Sequence, residues 1–182
     1  QKYYVPILKW KRGEQFALKN ITPEVKDKII PVINVMRFEQ VDRFISNIVR
    51  NWGENRPYYI DFHANIMDVS EEDACKFLFE LLKSPEASQV GTIPTLTTKN
   101  SGLISIFNET KQSLKYGCVI RVTSQDFDNF ANNINSIINK AGLDLHTTDL
   151  LIDLGVVDLP TEVLNNYILI VKDLISKIVD YG

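Results

Sequence analysis

Residues 4–20, YVPILKWKRGEQFALKN, hold a short apolar run with a proline near its start and a lysine near its end, followed at once by a helical pattern. The same order returns along the chain. IPVINV (30–35), RPYYID (56–61) and IPTLTT (93–98) each place proline at or near the beginning of a short apolar run. Proline cannot donate to a β-ladder, so it suits the first residue of a strand and is disfavoured further in. Lys9, Asn34 and Thr97 follow these prolines by three residues and Asp61 by four. CVIRVT (118–123) and LLIDLG (150–155) bring Arg121 and Asp153 to a similar level. Six runs therefore begin apolar and end polar.

Longer amphipathic stretches separate the runs. Strands are expected near 3–9, 29–35, 58–63, 92–97, 118–123 and 150–155, and helices near 13–19 or 22–28, 39–51, 71–83, 102–115, 125–140 and 161–179. This alternation is the signature of parallel βαβ units. Local chemistry supports the helix starts: Thr22 precedes Pro23, Ser70-Glu-Glu-Asp73 resembles a capping box, and Ser124 and Thr161 can cap in the same way. In the last helix Val163, Leu164, Ile168, Val171, Leu174, Ile175 and Ile178 form an apolar stripe.

Six such units suit either part of an eightfold barrel or an open doubly wound sheet. Alternation puts Val5, Ile7 and Lys9 on one face of their strand, and it does the same for Tyr59, Asp61 and His63, for Val119 and Arg121, and for Leu151 and Asp153. In a barrel these polar ends converge on the lumen mouth, where opposite charges can pair; in an open sheet they spread along an edge. The expectation is a single α/β domain over residues 1–182, a TIM-barrel-like or partial barrel of parallel βα repeats, with the doubly wound sheet as the alternative. Eight units of about 30 residues would need roughly 240, so the chain is two units short. It begins with Gln1 and not methionine, and is expected to be a processed product or a fragment.

The composition, 45% hydrophobic and 24% charged over 182 residues, is that of a globular protein that can bury a sizeable core. A net charge of -3 gives no general attraction to nucleic acid or anionic membranes. No apolar run approaches the roughly 20 residues of a membrane span, and no secretory pattern opens the chain. Cys75 and Cys118 lack zinc spacing to either histidine and read as two reduced core thiols, which sets the expected location as cytoplasmic.

The strand ends supply the candidate chemistry. Lys9 can neutralise a phosphate or carboxylate, or pair with Asp61 or Asp153; Lys11, Arg12 and Glu14 read as a solvated turn. Asp61 and Asp153 each interrupt an apolar strand, and a buried carboxylate needs a partner. They can share a divalent metal, with His63 as a further ligand, or divide acid and base roles. Arg121 offers a planar fork for phosphate or carboxylate, and equally for one of those aspartates. Asn34 and Thr97 are further ligand-binding candidates, although Thr97, Thr98 and Lys99 suit helix capping as well. Asp158 before Pro160 reads as a helix cap, and His146 falls in a loop and receives no role. Trp10, Tyr3 and Tyr4 read as core packing, because too few basic residues interleave with them to make a nucleic-acid surface. No P-loop, GxGxxG, HExxH or GxSxG motif is present.

YVPILKWKRGEQFAL, with VKDKIIPVINV, YYIDFH and LLIDLG after it, resembles the bacterial and phage "beta protein" family, whose members open with a similar Tyr-x-Pro-Ile-Leu-Lys-x-Lys-x-Gly-Glu stretch and run to nearly twice this length. The resemblance spans the chain as the family's amino-terminal part. It implies a barrel-like α/β fold in a phage or bacterial setting, with phage–host conflict as a context, and no particular reaction. Where the family pattern has an acidic residue on the second strand, this chain has Asn34. The leading functional expectation is a charged ligand site at the strand ends, with metal-assisted hydrolysis of a phosphate-bearing substrate carried by Lys9, Asp61, Arg121 and Asp153. The alternative is a noncatalytic recognition or phage–host interaction protein that binds a protein partner on the same scaffold.

Overall fold

The computed structural model describes residues 4–62, 70–155 and 161–179. Six strands, β1 (Ile7–Lys9), β2 (Val32–Asn34), β3 (Pro57–Asp61), β4 (Gly91–Leu96), β5 (Cys118–Thr123) and β6 (Thr148–Asp153), form one sheet in the order of the chain. Every neighbouring pair is parallel. The connections carry α1 (Arg12–Lys19) and α2 (Pro23–Lys26), then α3 (Val41–Asn51), α4 (Glu71–Lys83), α5 (Ser101–Thr110) and α6 (Phe130–Ala141), and α7 (Thr161–Val179) follows β6.

Sequential parallel order decides between the two architectures. Crossovers between parallel strands are almost always right-handed, so a sheet that never reverses its order puts every helix on the same side. The core agrees: Ile33, Ile60, Leu96, Ile120 and Val122 of the strands pack with Leu18, Phe44, Ile48, Phe77, Leu81, Leu103 and Ile137 of the helices. The other face carries a separate small cluster, Val32, Tyr59, Ile93 and Val119. The doubly wound alternative, with helices on both faces, is thereby excluded.

The sheet curls around that second face. Tyr59 of β3 donates its hydroxyl hydrogen bond to Asp149 of β6 at 2.8 Å, although three strand spacings would set flat strands about 14 Å apart. At the strand starts the backbones come close. A Cβ on Gly117, where φ is +73°, would lie 1.8 Å from the Thr147 carbonyl oxygen, so only glycine fits just ahead of β5.

Several sequence expectations are adjusted. The first strand is confined to Ile7–Lys9, with one isolated bridge between Tyr4 and Ile29. Both helices proposed as alternatives for the first connection form, the second as a single turn begun by Pro23. Ser70 caps α4 as expected, accepting from the Asp73 N–H at 3.1 Å. Thr22 makes no capping bond. Ser124 yields its capping role to Thr123, whose hydroxyl and N–H both bond Asp126 at the start of the 3₁₀ turn Ser124–Asn129. Within the expected stripe of α7, Val163 and Ile168 are exposed. No described helix is long and apolar enough to cross a membrane.

Candidate functional site

Strand alternation builds the concave face in two tiers. The lower tier is the apolar cluster Val32, Tyr59, Ile93 and Val119. Two residues further along the same strands, and hence on the same face, come Asn34, Asp61, Thr95 and Arg121. All four are buried. Backbone register sets Lys9 beside Asn34 and Asn34 beside Asp61.

Arg121 is the hub of the upper tier. Its Nη1 donates to Asp61 of β3, and its Nε and Nη2 donate to Asp153 of β6, the Nε bond at 3.1 Å. One guanidinium thus ties the fifth strand to the third and the sixth. Asp153 also accepts the Gly155 N–H on its other oxygen at 2.8 Å. Burial works against the Arg121 charge, but the Asp61 and Asp153 carboxylates outweigh it and hold the pKa above its ordinary value. The described group sets two carboxyl groups, the buried Asp61 and the half-buried Asp153, on one guanidinium. Asp149, lower on the same face, is exposed; burial of Tyr59, reinforced by its bond to Asp149, pushes the Tyr59 phenol well up.

The remaining candidates divide. Lys9 is exposed and makes no ion pair among the described residues, so the aspartates it was expected to meet are held by Arg121 instead. Asn34 is buried in the upper tier and Thr97 is half-buried at the end of β4. Thr98 and Lys99 do not cap α5, whose N-cap is Asn100. They reach across to the next connection, Thr98 donating to Asp126 at 2.8 Å and Lys99 to Gln125 at 2.6 Å. Trp10 packs on Phe44 with ring centres 5.8 Å apart, as a core residue should, whereas Tyr4 is exposed. His146 is exposed in the turn Leu145–Thr147. His63, Tyr3, Asp158 and Pro160 lie outside the described residues.

Two features escaped the sequence reading. Thr95 is 2% exposed with a hydroxyl that has no hydrogen-bond partner among the described residues, on the strand that the Arg121–Asp61 bridge crosses. Its position two residues before Thr97 was the available signal. Asp126 gathers Thr123 and Thr98, and its Thr-x-x-Asp spacing from Thr123 is a capping-box pattern.

The metal expectation includes His63, which lies outside the described residues. A guanidinium fills the position between Asp61 and Asp153 that a shared divalent ion would need. Among the described residues no group of three His, Cys, Asp or Glu side chains is placed to hold a metal.

A family model described as Beta protein matches residues 4–180, nearly the whole chain. The chain belongs to the Beta protein family. No curated protein and no solved structure matches it. In this family member, the opening stretch that carries the family resemblance forms β1 and α1, and the charge cluster lies further along the chain on β3, β5 and β6.

Proposed function

We propose that this family member is a noncatalytic recognition protein whose strand-end charges brace the curled sheet and whose partners dock on its surface. The observation that supports this reading is the commitment of Arg121 to two carboxylates at once. A hydrolase of phosphate-bearing substrates needs positive charge free to meet developing negative charge. Among the described residues the one buried cation of the tier, Arg121, is already paired with Asp61 and Asp153. The phage–host setting and cytoplasmic location belong to the same proposal, the first resting on the family resemblance and the second on two free thiols, Cys75 and Cys118.

Thermal unfolding in the presence of Mg²⁺, Mn²⁺, Zn²⁺ and nucleotides tests it. The expected result is no stabilisation of the wild type by any of them. The Asp61→Asn, Asp153→Asn double variant should lose stability by about 3–5 kcal/mol, the usual cost of stranding one partner of a buried pair. A rise in melting temperature with one metal, abolished in the double variant, would overturn the reading in favour of metal-assisted chemistry.

A further inference from the structure

On the outer layer, away from the strand ends, α1 and α3 border a groove of about 600 Å³. It is lined by Arg12, Gln15, Phe16 and Lys19 from α1 and by Asn47, Arg50 and Asn51 from α3. Arg12, Phe16 and Lys19 stand at positions i, i+4 and i+7, one stripe of the helix. Asn47, Arg50 and Asn51, at i, i+3 and i+4, form the facing stripe.

The lining is one-sided in charge. It holds three cations and no carboxylate, in a chain whose net charge is -3. Arg12, Lys19 and Arg50 make no ion pair among the described residues. Glu39, which bonds the lining residue Asn47, is paired with Arg43 at 3.3 Å, and Glu14 of α1 is not among the lining residues. Phe16 is the one large apolar side chain of the lining and is 68% exposed. A phenylalanine left in water between two cations on one helix stripe gains nothing for folding.

We infer that this groove binds single-stranded nucleic acid, with one base stacked on Phe16 and the flanking phosphates met by Arg12, Lys19 and Arg50. A flat ring supplies sequence-tolerant stacking, cations follow the backbone, and the amide of Gln15 can address a base edge. An acidic peptide would satisfy the cations but leave the ring without a purpose, so the aromatic decides between the two anionic partners. The overall acidity of the chain keeps the attraction local to the groove. This deepens the recognition reading and rests on it only for context, since the groove shares no residue with the Arg121 cluster.

Fluorescence anisotropy with labelled dT and rU 12-mers, from 20 to 200 mM NaCl, tests the inference. Three phosphate contacts at about 0.7 each should give a slope near -2 for log K against log salt. Phe16→Ala should weaken binding about 5- to 100-fold, the range for loss of one stacking side chain, and Phe16→Tyr should retain it. Arg12→Gln with Arg50→Gln should bring the slope to about -0.7. All three positions are exposed, and circular dichroism checks that each variant is folded. No binding at 20 mM salt overturns the inference, as does binding indifferent to both sets of substitutions. Competition by polyglutamate with no effect of Phe16→Ala overturns it in favour of an acidic partner. Metal-dependent stabilisation lost in Asp61→Asn, Asp153→Asn, with oligonucleotide binding intact, overturns the recognition reading and leaves this one standing.

Discussion

Thr95 shows how one side chain can be out of step with its surroundings. Its neighbours in the upper tier, Asp61 and Arg121, pair with one another, while its hydroxyl sits buried with no partner among the described residues. A buried polar group without a partner costs about 1–3 kcal/mol, and its removal returns part of that. Thr95→Val is therefore expected to raise unfolding free energy by about 1 kcal/mol in urea denaturation, because valine keeps the branched shape and drops the hydroxyl. A loss of stability would show that the hydroxyl has a partner in solution. The sequence allowed Asp61, Arg121 and Asp153 to be picked out, because a charge interrupting an apolar strand must be explained by a partner. It did not settle which carboxylate Arg121 would hold, and it left Lys9 as an equal competitor. That choice depends on strand order and curl, since β5 and β6 are sheet neighbours while β3 comes within reach of them across the lumen only when the sheet bends.

At the scale of elements, most strand and helix positions were readable from proline placement and periodicity. The failures fall at connections. Thr97, Thr98 and Lys99 carry the right groups for capping α5, yet Thr98 and Lys99 serve the 3₁₀ turn Ser124–Asn129, which lies nearly thirty residues later and is brought beside them by sheet pairing. Asp126 is the centre of that junction. Burial pushes its pKa up, but the Thr123 N–H, the Thr98 and Thr123 hydroxyls and the charge of Lys99 prevail and hold it below the ordinary value. A carboxyl with a lowered folded pKa contributes stability that is complete above its unfolded value of about 4 and is lost as pH falls through the folded one. Asp126→Asn should thus be less stable than the wild type at pH 6, by about 1–2 kcal/mol for the charge-assisted bonds it gives up. The gap between the two curves should close as pH falls below the ordinary carboxyl range in acid titrations of stability, and a gap that stays constant throughout would show that the carboxylate charge is not what matters.

At the scale of the whole molecule, the six strands pair only with their sequence neighbours, so nearly all sheet contacts span one βα unit. Two side-chain bonds between described strand residues break that rule. The Arg121–Asp61 pair spans 60 residues and the Tyr59–Asp149 bond spans 90, and both join β3 to the later strands across the concave face. If they act together to hold the curl, they should be energetically coupled although they lie in different tiers. A double-mutant cycle on Tyr59→Phe and Arg121→Met should give a coupling of about 0.5 kcal/mol or more, while independent local bonds would add within about 0.3. The same two contacts carry a kinetic meaning. Pairing each strand with the one before it closes only short loops, and so can proceed stepwise as the chain lengthens. The cross-lumen bonds need residues of β5 and β6, so the first four strands by themselves lack both latches.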